Sequence, residues 1–137
     1  MRIAFGTDEE TSLTATVITD LERGGHEVEW VARGEAWPEV GRAVGEAVAA
    51  GRVARGVVCC WTGTGVSIAA NKVPGVRAAL CTDAATATGA RRWNDANVLA
   101  FGLRLTSPTV ITEMLDAFLE AQPDESELPV ISRVERG

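Results

Sequence analysis

The feature that most limits what this chain can fold into is a fivefold alternation. A short apolar run is followed each time by a longer stretch whose apolar residues recur at helical spacing. The runs fall at residues 2–5, 27–31, 56–60, 76–81 and 98–102, and the helical stretches at residues 12–23, 37–50, 66–72, 84–92 and 108–121. In the first of these helices Leu13, Val17, Ile18 and Leu21 mark one face, and Gly24-Gly25 provides the glycine on which such a helix ends. Pro38 suits the first turn of the second helix. Gly56-Val57-Val58-Cys59-Cys60 is apolar on both alternations, which predicts a strand buried on both faces. Strands of that kind, each followed by a helix, imply a parallel five-stranded sheet with helices on both faces and right-handed crossovers, a three-layer α/β/α sandwich. A chain of 137 residues builds one such domain. The spacing assigns it residues 1–121 and leaves residues 122–137 as a tail. That tail carries Asp124, Glu125 and Glu127 and then Arg133 and Arg136, and is either solvated or an arm reaching a partner chain.

Ligands of open parallel sheets sit beyond the carboxyl ends of the strands. That rule directs attention to residues 6–9, 60–65, 82–83 and the stretch around Asn94. Cys60-Trp61-Thr62-Gly63-Thr64-Gly65 runs from a strand through a glycine-rich turn into a helix, the order that presents backbone N–H groups to a ligand. A proton acceptor beside an anion hole is what enolisation requires. Strand alternation sends Cys59 and Cys60 to opposite faces, so at most one thiol meets a given pocket; otherwise both are small buried hydrophobes. Asp8-Glu9-Glu10 follows the first strand, and helix-start electrostatics accounts for at least one of the three acids. Asp8, nearest the strand, is the functional candidate. Arg91 and Arg92 suit a helix C-terminus, Asn94 and Asn97 can satisfy loop backbone, and His26 reads as structural.

Composition removes several classes. A net charge of −6 opposes nucleic acid as the main partner. No apolar run approaches the roughly 20 residues that span a bilayer, and the opening residues lack a signal-peptide pattern, so the cytoplasm is the expected compartment. Three cysteines have no metal-ligand spacing and are an odd number for a disulfide framework, which predicts reduced thiols and no metal. A single histidine rules out any mechanism needing two imidazoles from one chain.

Three ordered motifs carry a resemblance. Gly63-Thr64-Gly65-Val66-Ser67-Ile68-Ala69-Ala70-Asn71-Lys72, then Gly75-Val76-Arg77-Ala78, then Asn94-Asp95-Ala96-Asn97-Val98-Leu99-Ala100-Phe101-Gly102 resemble the ribose-5-phosphate isomerase type B and galactose-6-phosphate isomerase family. Ile3-Ala4-Phe5-Gly6 and Asp8 agree as well, so the likeness covers residues 2–122. It implies a Rossmann-like five-stranded sandwich and a homodimer with active sites shared between chains. The implied activity is aldose–ketose interconversion through a cis-enediol, with no metal or organic cofactor. By position, Cys60 matches the thiol that moves the proton and Thr62 its hydroxyl helper. The loop at Gly63, Thr64 and Gly65 and the amide of Asn94 would steady the enediolate, and Asp8 would hold sugar hydroxyls. A second branch of the family places a glutamate base where this chain has Val66, which puts this chain with the cysteine branch.

The departures bear on the substrate. Glu9 and Trp93 stand where the family has histidines for phosphate binding and ring opening, and Trp37-Pro38-Glu39 replaces a Tyr-Pro-Asp. Of two tail arginines that reach the phosphate across the dimer, only Arg133 aligns. Two like charges about 4 Å apart cost on the order of 4 kcal/mol at an effective dielectric near 20. Glu9 would therefore repel a phosphate dianion. The expectation is an isomerase acting on an unphosphorylated or altered sugar or polyol, with Trp93 stacked on an apolar sugar face. The alternative is an inactive relative that binds a ligand or partners another subunit.

Overall fold

The structure, a computed structural model, describes residues 1–135. Five strands, β1 (Arg2–Thr7), β2 (Glu27–Arg33), β3 (Arg55–Cys60), β4 (Ala78–Leu80) and β5 (Val98–Gly102), form one sheet in the order β2-β1-β3-β5-β4. Every pairing is parallel. The helices between and after them are α1 (Ser12–Arg23), α2 (Trp37–Ala49), α3 (Thr64–Ala70), α4 (Ala84–Asn94) and α5 (Pro108–Glu120). A 3₁₀ turn, Glu125–Glu127, and the short α6 (Leu128–Ile131) follow. The three-layer sandwich expected from the sequence is the fold observed.

Alternation within the central strands makes the layers. Ile3 and Phe5, Val57 and Cys59, Leu99 and Phe101 pack with α1, α4 and α5 on one face. Ala4, Val58, Cys60, Val98 and Ala100 pack with α2 and α3 on the other. Full burial of Phe5, Phe101 and Phe118 supplies roughly 2–3 kcal/mol each before entropy is counted. Helix starts are fixed by side chains: Thr11 and Thr14 cap α1 reciprocally, while Asp83 and Ser107 accept from backbone N–H groups of α4 and α5. No helix is long and apolar enough to cross a membrane among the described residues.

Several boundaries differ from the sequence reading, β1 running on to Thr7 and α3 ending at Ala70 among them. β2 extends to Arg33, α3 starts at Thr64, and α4 runs on to Asn94. β4 contracts to Ala78–Leu80 because Val76 N–H is spent on a turn to the Val73 carbonyl and Arg77 N–H donates to Asn97 Oδ1. Asn97 also donates to the Gly75 carbonyl, the loop-backbone role expected of it. One placement is corrected: the stretch around Asn94 ends α4 and precedes β5, so it lies at the amino edge of the sheet, not beyond a carboxyl end. The tail returns to its own chain, with Asp124 N–H donating to the Arg92 carbonyl, Arg92 paired to Asp124 at 3.1 Å, Glu135 paired to Arg77 at 2.8 Å, and Ile131 buried.

Candidate active site

β1 and β3 are neighbours, so the residues that leave their carboxyl ends meet. A cleft of about 380 Å³ opens there, lined by Asp8, Trp37, Cys60, Trp61, Thr62, Thr64, Gly65 and Ile68. Cys60, only 5% exposed, forms its floor from the α2–α3 face of the sheet. Cys59 faces the other layer, donates to Thr7 Oγ1 at 3.3 Å, and has its thiol pushed up to about 12 by burial. Cys81 is likewise raised to about 11 by burial, with a lesser contribution from Asp83. Of the three thiols, Cys60 is the one that lines this cleft.

The loop over Cys60 is held by the close approach of neighbouring backbone. Gly63 caps α3 in the left-handed conformation at φ 79°, and a Cβ there would sit 2.6 Å from the Phe101 carbonyl carbon. Leu103 N–H donates to the Cys60 carbonyl and Arg104 N–H to that of Trp61, which ties the chain after β5 to the loop. The Trp37 indole lies against Gly65, where a Cβ would come within 2.8 Å of the ring. The first-turn N–H groups of α3 have no acceptor within the helix. Thr62 and Thr64 share a hydroxyl–hydroxyl hydrogen bond of 2.7 Å at the cleft mouth.

Asp8 supplies the site's unsatisfied acceptor. Its Oδ1 is buried without a hydrogen-bond partner. Burial raises its pKa, the charge of Glu9 raises it further, and a backbone hydrogen bond partly opposes both. A carboxylate left in this state asks for hydroxyl donors. Replacing Asp8 with Asn is expected to weaken substrate binding at least tenfold while leaving thermal stability at pH 7 equal or higher. The sign follows from the raised pKa: the cost of the ionised, partnerless carboxylate exists above that pKa and vanishes as the group protonates. The stability difference should therefore close as pH falls, which thermal melts at pH 7 and pH 4 of both proteins would read.

The profile of the ribose/galactose isomerase family matches residues 3–135. The chain belongs to that family. Ribose-5-phosphate isomerase B of Escherichia coli is 39% identical over 126 residues, covering 88% of this chain and 85% of that protein. D-erythrulose-4-phosphate isomerase of Pectobacterium atrosepticum is 34% identical over 89% of this chain and 84% of its own length. The galactose-6-phosphate isomerase subunit LacB of Clostridium acetobutylicum is 46% identical over 86 residues, 63% of this chain, and the match spans half, 50%, of that subunit. Among solved structures, the Clostridium thermocellum ribose-5-phosphate isomerase B superposes with a TM-score of 0.92 at 35% identity, over 99% of this chain and 96% of that one. Within the ribose/galactose isomerases the chain is thus of the ribose-5-phosphate isomerase B type.

Not every residue singled out in this family member gathers at Cys60. Trp93 and Asn94 line a separate cleft of about 550 Å³ between β4 and α4, with the Trp93 ring lying over Gly89. α4 is 11 residues, or about 16 Å, long, and they sit at its far end from the carboxyl edge of the sheet. Arg133 is exposed on the tail. Glu9 is held by its backbone, which exchanges hydrogen bonds with Thr7 Oγ1, and its side chain is exposed beside Asp8. Glu10 pairs with Arg33 at 3.0 Å, and that guanidinium also stacks 4.1 Å above Trp30. Val66 is fully buried. The sequence reading did not single out Ile68, which walls the cleft, or Arg104, exposed on the segment tethered to the Cys60 loop, and it noted Trp37, the other wall, only as a departure from the family pattern. The rule of carboxyl strand ends, applied after β5 instead of before it, would have found Arg104. No three His, Cys, Asp or Glu residues converge as metal ligands among the described residues.

Proposed function

We propose that this ribose/galactose isomerase family member interconverts an aldose and a ketose through a cis-enediol, with Cys60 as the proton carrier. The single observation that carries this reading is the pairing, in one cleft, of the Cys60 thiol with the orphaned, buried Oδ1 of Asp8. Asp8 accepts from substrate hydroxyls and sets the carbon chain against the sulfur. The Cys60 thiolate takes the proton from the carbon beside the carbonyl, the electron pair forms the enediol double bond, and the former carbonyl oxygen carries the charge. The loop N–H groups at Gly63, Thr64 and Gly65 meet that charge. Thr62 relays the proton between the two oxygens, and the thiol returns its proton to the neighbouring carbon, so no atom or electron is gained or lost. Trp93, Asn94 and Arg133 lie outside the cleft of their own chain, so their roles would be played at the cleft of a second copy in a homodimer.

The substrate in this reading is an unphosphorylated or otherwise altered sugar. Its support is charge: the cleft is lined by Asp8 and by no lysine or arginine, with Glu9 alongside and Arg33 consumed by Glu10. A second reading, a sugar phosphate, is favoured by Arg104, which is exposed next to the Cys60 loop with no ion pair among the described residues, and by relatives that are named for phosphorylated sugars. Solvent-deuterium incorporation into free aldoses and ketoses and into ribose 5-phosphate separates them. Exchange with a free sugar at the higher kcat/KM supports the first reading; ribose 5-phosphate as the better substrate selects the second. No exchange with any sugar would leave a ligand-binding relative without catalysis. Glu9→His is expected to tighten ribose 5-phosphate binding about tenfold, a gain near 1.4 kcal/mol, measured by calorimetry.

A further inference from the structure

At the opposite edge of the sheet, three arginines from three segments converge. Arg55 begins β3, Arg77 precedes β4 and Arg91 lies on α4; all three line a cleft of about 450 Å³ together with Asp95 and Asn97. Arg55 and Arg91 are 8% and 4% exposed, and both approach the Phe118 ring, at 5.6 and 5.9 Å from its centroid. Two carboxylates meet the three arginines, and the one shared between them is Asp95, which bonds Arg91 at 2.8 Å and Arg77 at 3.2 Å. Arg77 has a second partner in Glu135. Arg55 is in no ion pair among the described residues and has only the Phe118 carbonyl as hydrogen-bond acceptor. Burial first, and then the charge of Arg91, push its guanidinium down to about 10, with Asp95 opposing in part.

A buried guanidinium beside a second one and without its own carboxylate is an unbalanced charge, and such charges in proteins are met by counter-ions or hydrogen-bonded partners. We propose that this cleft is a binding site for a small oxyanion of the phosphate class, with the Nε and Nη2 edge of Arg55 as its forked donor, while Arg91, whose Nε and Nη1 already donate to the Ala121 carbonyl, the Ala96 carbonyl and Asp95, adds its charge. Guanidinium geometry matches such an ion with paired N–H···O bonds. The site is distinct from the active-site cleft. Arg55 and Cys60 are the first and last residues of β3, five steps or about 17 Å apart. It does not depend on the isomerase reading.

The test is titration of the full chain with inorganic phosphate at constant ionic strength, followed by backbone and arginine side-chain NMR. A parallel titration with glycerol 3-phosphate distinguishes a free ion from the head of a larger ligand by which one binds more tightly. Saturable shifts at the Arg55 Nε–H and at residues 54 and 95–97, with those at residues 60–65 unmoved, are the expected result. Arg55→Met should weaken that binding at least tenfold and abolish the phosphate-dependent rise in Tm, whereas Cys60→Ala should keep both. Non-saturating shifts, or shifts centred on the Cys60 loop, would overturn the assignment. Because the mapping uses the unaltered protein, it stands even where Arg55→Met fails to fold.

Discussion

Cys60→Ala is expected to lower kcat for isomerisation and for solvent-deuterium exchange by at least a thousandfold while changing KM less than threefold. A positioned general base contributes about 10²- to 10⁴-fold, and the upper part of that range applies because no other group lining the cleft can hold a proton from carbon without losing its hold on the sugar. In the proposed mechanism Asp8 holds the hydroxyls and Thr62 serves the oxygens, and Thr62 already shares a hydrogen bond with Thr64. Cys59→Ala is the matched control. It removes a sulfur from the opposite layer, so it costs about 1 kcal/mol of stability for a small void and leaves kcat unchanged. Retention of a tenth or more of the activity by Cys60→Ala would refute the assignment of the thiol.

Gly63→Ala should cost about 2–5 kcal/mol of folding free energy and lower Tm by about 8–20 °C. Left-handed backbone costs a residue with a Cβ roughly 1–2 kcal/mol, and forcing a methyl into filled space adds about 1–3 kcal/mol. Here the added carbon meets the main chain of Phe101 at 2.6 and 2.8 Å and the Leu80 side chain at 2.7 Å, and backbone in mid-sheet cannot yield. The sum is a large share of the 5–15 kcal/mol that holds a domain together, and each kcal/mol is worth a few degrees at this size. Any folded fraction should also lose activity, because the same residue places the loop above Cys60. Chemical denaturation of both proteins measures the effect; a loss under 1 kcal/mol would mean that the loop relaxes freely.

The alternation was readable because central strands are apolar on both faces and helices on one, so the sheet and its two covering layers follow from periodicity alone. Cys60 and Asp8 were readable as strand ends. Their meeting came from the family resemblance alone, since it depends on β1 lying next to β3, a matter of strand order that no local pattern encodes. The partnerless Asp8 oxygen and the indole of Trp37 on Gly65 are likewise products of packing across distant segments. Asn94 was misplaced because it was grouped with the strand that follows it, while the governing edge is set by the direction in which that strand runs. The arginines at positions 55, 77 and 91 look unrelated in the chain; Arg55 and Arg91 come together beneath Phe118 and Arg77 joins Arg91 through Asp95.

The buried position of Val66 also constrains how this lineage can change. A carboxylate introduced there would enter the apolar layer between α3 and the sheet, where its ionised form is costly unless the free first-turn N–H groups of α3 meet the charge. Position 66 faces the sheet and does not line the cleft, so a proton acceptor there would serve this cleft only with α3 seated differently. In this seating of α3 the side chain that meets the cleft is Cys60 and not the one at position 66.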